Sequence, residues 1–182
     1  MAFKYSYAAL ILLLLHIKAG SYPQGAPTDT CDTISPARSL SLPLQMNDAP
    51  YVLLQTSVSY KPGQVINVNI QRLTTHSTFE GFLVQAIDKM TGRLIGRFLD
   101  ADGLYLMDEC SAVTHKNNKQ KTAVHLAWVA PLNQRGDVIF RGTIIERKNK
   151  YYEGLISRLE PSRTRKSLFD VVVRLVSERN DT

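Results

Sequence analysis

From Tyr51 onward apolar residues return at every second position, and no other feature of the chain limits its fold so strongly. Ile66, Val68 and Ile70 point one way and Val65, Asn67 and Asn69 the other, the pattern of a strand with one buried and one wet face. Leu54, Thr56, Val58 and Tyr60 share a face of another run, ended by the turn Lys61-Pro62-Gly63. Phe82, Val84 and Ala86 form a third, which stops near Asp88-Lys89-Met90-Thr91-Gly92. Val124, Leu126, Trp128 and Ala130 line a fourth, closed by Pro131, and Val138, Phe140, Gly142 and Ile144 a fifth beyond Gly136-Asp137. These last two read as neighbours joined by a tight connection. Short alternating strands separated by turn clusters predict an all-β antiparallel sandwich. Between residues 51 and 157 no helical period lasts long enough for a globular helix.

The flanks read differently. Residues 22 to 50 are rich in Pro, Ser, Thr and Asp, so an irregular, extended lead-in is expected, tied down by Cys31. Residues 158 to 167 (RLEPSRTRKS) form a basic linker. In the tail beyond, Leu168, Val172, Leu175 and Val176 fit a helical stripe, while Phe169, Val171, Val173 and Leu175 alternate as a strand would; both readings stay open. At the start, Lys4 precedes an apolar run from Ala8 to Leu15, and Ala19-Gly20-Ser21 supplies small residues for cleavage. That run is far shorter than the ~20 residues that span a bilayer, so residues 1–21 are expected to be a cleaved signal peptide.

Removing such a leader leaves about 161 of 182 residues, enough for one domain with a proper core. Lys4 and Lys18 would leave with it, so the mature charge is about +4 against +6 for the whole chain. This mild basicity suits anionic surfaces without naming one. Leu168 to Val176 is short and interrupted by Asp170 and Arg174, and the C-terminus is charged to its end, so neither a second span nor a lipid-anchor signal is expected. The expected location is extracellular, in a haemolymph-like fluid. Cys31 and Cys110 are the two cysteines, and in an oxidising compartment such a pair reads as a disulfide closing a loop of about 80 residues. Neither lies in a CxxC or a nucleophile motif, which weighs against a redox or catalytic role.

A search for chemistry returns little. His76, His115 and His125 lack metal-ligand spacing and read as solvated or singly hydrogen-bonded side chains. There is no G-x-S-x-G, P-loop or G-x-G-x-x-G, so no catalytic residue, metal or cofactor is expected. Trp128 reads as a core residue rather than an exposed stacking platform. Basic residues offer the remaining candidates for contact with an anionic ligand: Lys116, Lys119 and Lys121 in the loop KNNKQK, and Arg163, Arg165 and Lys166 in the linker. One glycosylation sequon, Asn180-Asp181-Thr182, ends the chain.

An ordered set of motifs runs through these elements. Gly25-Ala26-Pro27 precedes Cys31, and Ala49-Pro50-Tyr51 opens a strand. Tyr60-Lys61-Pro62-Gly63 and Phe79-Glu80-Gly81-Phe82-Leu83-Val84-Gln85-Ala86 follow, then Gly96-Arg97-Phe98 and Cys110 with Val113-Thr114-His115. Trp128-Val129-Ala130-Pro131 leads to Gly136-Asp137-Val138-Ile139-Phe140, and Tyr151-Tyr152-Glu153-Gly154 closes the series. This resembles the reeler domain, over roughly Gln24 to Ser157, and places a domain at residues 22–157 with a linker and tail at 158–182. Standalone proteins of this kind resemble insect haemolymph defence proteins, some implicated in nodulation and antibacterial responses.

The resemblance implies an immunoglobulin-like β-sandwich, a Cys31–Cys110 disulfide, and an innate-immune role. The implied partners are microbial cell-surface polysaccharide or lipopolysaccharide, and haemocytes. No nucleic-acid partner and no stable membrane insertion are expected. Longer relatives join a reeler domain to a DOMON domain and a haem-binding cytochrome region, neither of which this sequence carries; a reductase role is not expected. A matrix or developmental adhesion protein that binds glycosaminoglycan is the alternative from another class.

Overall fold

The computed structural model describes residues 24–35, 49–147 and 150–161. Two sheets face each other. One is ordered β11-β1-β3-β8-β5, from strands β1 (Tyr51–Gln55), β3 (Val65–Arg72), β5 (Arg97–Phe98), β8 (Ala123–Val129) and β11 (Arg158–Leu159). The other runs β10-β9-β4-β7-β6, from β4 (Gly81–Asp88), β6 (Leu104–Met107), β7 (Ala112–His115), β9 (Gly136–Arg147) and β10 (Lys150–Ile156). The two-residue β2 (Ser59–Tyr60) pairs with the start of β9. Pairings are antiparallel except that of β11 with β1. The expected sandwich is therefore the observed fold.

The period-2 pattern explains the core. Ile66, Val68 and Ile70 of β3, Phe82, Val84 and Ala86 of β4, Leu126 and Trp128 of β8, and Val138, Phe140 and Ile144 of β9 meet between the sheets, all fully or nearly fully buried. Trp128 packs edge-on against Tyr60 and Phe140, and its indole N–H donates to the Ile95 carbonyl at 3.0 Å. It is the core residue expected.

Two readings need correction. The run Leu54 to Tyr60 is not one strand: the chain leaves the first sheet after Gln55 and joins the second at Ser59, so the buried face is Tyr51, Leu53 and Gln55. Likewise β8 and β9 are not paired neighbours. β8 pairs with β3 and β5, and β9 with β4 and β10, so the segment after Pro131 crosses between sheets. Alternation reports a strand's buried face, not its partner, and facing strands carry the same signature as adjacent ones.

The lead-in lies on the outer face of the second sheet. Ile34, Leu83, Met107, Cys110 and Ala112 make a second small core there, with Ala26 and Cys31 packed on it. This is why Leu83 and Gln85, on the side of β4 that alternation leaves wet, are buried too. Cys31 and Cys110 form the expected disulfide, with Cα atoms 5.7 Å apart. The Gln85 amide donates to both cysteine carbonyls at 3.0 Å, and Thr143 Oγ1 donates to the Ile34 carbonyl at 2.5 Å. Those bonds hold the strap in register and keep Ile34 at φ +50°, a region that disfavours β-branched residues.

Candidate functional site

At the end of the sandwich where β3 hands over to β4, β7 to β8 and β9 to β10, the loops enclose a polar cleft of about 320 Å³. Pro50, His76, Ser77, Thr78, Glu80, Gln120, Glu146, Arg147 and Lys150 line it. An antiparallel bridge between Phe79 and Lys121 ties two of the loops together, with amide–carbonyl bonds of 3.0 and 2.8 Å. The Glu80 amide reaches the Ile145 carbonyl at 2.9 Å and fixes this pair of loops to β9.

Glu146 is the centre of charge in the cleft. Lys150 Nζ lies 2.9 Å from its Oε1, and the hydroxyls of Tyr51 and Tyr152 donate to its Oε2 at 3.4 and 3.3 Å. The single Tyr51 hydroxyl proton is directed mainly at the Thr78 carbonyl, at 2.7 Å, with Glu146 as its more distant second acceptor. Burial first, and then the nearby Glu146 carboxylate, push the Tyr51 phenol well above its ordinary value, so it stays a donor at neutral pH. The hydrogen bond to Glu146 raises the Lys150 ammonium, which stays charged. His76 and Arg147 are exposed at the rim, and Gln120 Nε2 donates to Glu80 Oε1 at 3.2 Å. The cleft thus offers donors and acceptors of both signs around a fixed carboxylate, a surface suited to hydroxyl-rich ligands. Ser77 Oγ pairs with Thr74 Oγ1, and among the described residues no hydroxyl in the cleft pairs with a histidine.

The candidate lysines divide. Lys116 and Lys119 are exposed on the loop that borders the cleft through Gln120. Lys121 turns inward and donates to the carbonyls of Glu80, Asn117 and Lys119 at 2.8, 2.8 and 2.7 Å, which uses all three ammonium donors; burial lowers its pKa. It fastens the loop rather than facing a ligand. Arg163, Arg165, Lys166, Asn180 and the leader lie outside the described residues.

The histidines divide as well. His76 is exposed, and His125 Nδ1 meets Asn69 Oδ1 at 2.7 Å on the open face of the first sheet. Of the two readings, solvated or hydrogen-bonded, His115 takes the second: it is buried on β7, where Nδ1 takes the Phe82 amide at 3.1 Å and the ring lies over Gly81. Among the described residues no group of three or more potential ligands could hold a metal ion, and no helix is long and apolar enough to cross a membrane.

Of the cleft residues, only the flanking loop was visible in the sequence as a candidate. Glu146 and Lys150 are four apart, a spacing that suggests a helical pair, yet here it spans a hairpin. The usable signal was the motif set, since Phe79-Glu80 and Tyr151-Tyr152 sit at the cleft's edges.

Comparison with known proteins bears on this geometry. The Reeler domain family model matches residues 29–165. "Putative defense protein 3" of Antheraea mylitta is 34% identical over 80% of this chain and 88% of its own length. "Putative ferric-chelate reductase 1 homolog" of Drosophila melanogaster is 31% identical over 76% of this chain but only 23% of its own. Among solved structures, the human F-spondin reeler domain aligns with a TM-score of 0.54 and 23% identity, covering 70% of this chain and 99% of that one.

Proposed function

The chain belongs to the reeler-domain family, and from that premise we propose that it is an extracellular defence protein that binds microbial surface polymers through the polar cleft. The observation that carries the reading is the similarity to an insect defence protein, 34% identical along 88% of that relative's length. The reductase relative shares only the part this chain covers, 23% of its length, so the redox activity in its name is not carried over.

The cleft supports the polymer half of the proposal. It is open and polar, lined by Ser77, Thr78, Gln120 and the Glu146–Lys150 pair, with Lys116, Lys119 and Arg147 exposed around it. Sugar hydroxyls would meet the carboxamide and carboxylate groups, and phosphate or carboxylate substituents the rim cations. The lipopolysaccharide and polysaccharide envelopes of microbes carry both kinds of group.

Purified protein incubated with whole bacteria, lipopolysaccharide and β-glucan at physiological salt tests this. Binding above that of an unrelated sandwich protein is expected, reduced several-fold by Glu146→Gln and by Lys119→Glu with Arg147→Glu. Absence of binding to all three would overturn the reading. Binding to a sulfated glycosaminoglycan alone would favour the matrix alternative.

A further inference from the structure

The opposite end of the sandwich carries a surface that the cleft does not explain. Here the loops β2–β3, β4–β5 and β8–β9 meet. Met90 at the tip of β4–β5 is 85% exposed, and Leu132 in β8–β9 is 83% exposed, the two most exposed large apolar side chains among the described residues. Lys61, Lys89, Arg93 and Arg135 are exposed on the same three loops.

These loops are well fastened. The Asp88 carboxylate accepts the amides of Met90 and Thr91 at 2.9 and 2.7 Å, and the Asp88 amide donates to the Arg93 carbonyl at 2.8 Å, closing the turn under Met90. The Gly63 amide donates to the Pro131 carbonyl at 3.1 Å, and the Lys89 amide to the Asp137 carbonyl at 3.0 Å, so each loop is braced by a neighbour. Ordered backbone thus holds both apolar tips out in water at one end of the sandwich.

Charge decides which partner. The carboxylates nearest the tips are already engaged, Asp88 within its own turn and Asp137 with Ser59 Oγ at 2.7 Å. Asp108 and Glu109 are exposed on the β6–β7 turn at this same end, outside the three loops that carry the tips. The loop residues 61–64, 89–96 and 130–135 themselves carry no carboxylate, so the two apolar side chains stand on loops with four exposed cations. A protein groove would fit the first and a polysaccharide the second, but a layer of anionic headgroups over acyl chains fits both at once.

We propose that this end of the sandwich docks peripherally on anionic phospholipid bilayers, with Met90 and Leu132 entering the headgroup layer and Lys61, Lys89, Arg93 and Arg135 meeting its phosphates. The proposal does not rest on the polymer reading, because it uses none of the cleft residues. Co-sedimentation with vesicles of phosphatidylcholine, with and without about 30% phosphatidylglycerol, tests it at an ionic strength of about 0.1 M. The protein should sediment with the anionic vesicles and little with the neutral ones. Met90→Ser with Leu132→Ser, which leaves the charge unchanged, should weaken partitioning about tenfold. Lys89→Ala with Arg93→Ala and Arg135→Ala should remove the preference for phosphatidylglycerol. Both sets lie on exposed side chains, and an unchanged melting midpoint shows that the variants fold. Failure of the parent protein to sediment with anionic vesicles overturns the proposal. So does a Met90/Leu132 variant that sediments as the parent does, since binding would then be electrostatic alone.

Discussion

The two ends of the sandwich are made from the same strands and finish in opposite ways. At the cleft end the polar groups turn inward on one another: Lys150 and two tyrosines on Glu146, Lys121 on three carbonyls, Gln120 on Glu80. At the other end the inward bonds are made by backbone and by Asp88, while Lys89, Arg93, Met90 and Leu132 are left to water. A strand pattern fixes the sandwich but says nothing of which end does what; the loops carry that difference. The contrast makes a strong claim, that the ends can be altered separately, and it can be tested by disturbing what they share and then each alone.

The largest effect is expected from what they share. Cys31→Ser with Cys110→Ser frees the strap that crosses the outer face of the second sheet and opens a loop of 79 residues of separation. Stability should fall by about 4 kcal/mol in the chain-entropy account, read from the denaturant midpoint. Below the new midpoint both polymer and vesicle binding should survive together. Loss of one alone would attach the strap to that end and break the symmetry of the comparison.

Next come two glycines, one toward each end. A Cβ on Gly96 would fall onto the Trp128 indole and the Val129 carbonyl, and the residue sits at φ +62°. A Cβ on Gly81 would come 2.6 Å from Cε1 of the buried His115 ring. Gly96→Ala should cost about 3 kcal/mol and Gly81→Ala about half as much, since a fixed core indole yields less than an imidazole near the loop end. Equal costs would show that the two ends are equally rigid.

Much of this architecture was legible in the sequence, and the reasons it stopped short are physical. Period-2 runs at Ile66–Ile70, Phe82–Ala86 and Val138–Ile144 located strands and their buried faces, because burial follows from the pleat alone. Partners were not legible: the β8–β9 crossing looks like a hairpin until pairing is known. The burial of Leu83 and Gln85 was hidden because the strap that covers them comes from residues about fifty positions earlier. The cleft was legible only at its edge. Exposed Lys116 and Lys119 could be read from composition, but Glu146 gains its role from Tyr51, ninety-five residues away, which no local pattern encodes. The apolar tips were visible as letters, Met90 within a turn cluster and Leu132 after Pro131, yet a turn residue acquires meaning only when its exposure is known.

A change confined to the cleft end should have a smaller global effect and a one-sided functional one. Lys121→Met keeps much of the side chain's stem but leaves the carbonyls of Glu80, Asn117 and Lys119 without their shared donor. Water can reach part of this loop, so the loss of stability should be about 1–2 kcal/mol. Polymer binding should weaken, because the loop that borders the cleft through Gln120 is no longer fastened, while vesicle sedimentation stays as in the parent. A parallel loss of vesicle binding would mean that the two ends are coupled through the sheets.

The mirror-image change, Asp88→Ala, should be the smallest in stability and should fall on the other end. Asp88 is held below its ordinary pKa chiefly by the Thr91 amide, helped by the Thr91 hydroxyl and the Met90 amide. A carboxylate whose folded pKa is depressed contributes stability above its unfolded value and loses that contribution as pH falls through the folded one. The parent should therefore melt about 2 °C above the variant near neutral pH. That gap should close as the solution is acidified below the ordinary carboxylate range, where the parent's own Asp88 takes up a proton. Loosening the turn also frees Met90 from its fixed place at the tip, so vesicle partitioning of the variant at neutral pH should fall despite the removal of a negative charge. This sign separates two accounts of the basic end. If charge alone draws the protein to anionic lipid, deleting Asp88 strengthens binding; if the braced apolar tip matters, deleting it weakens binding.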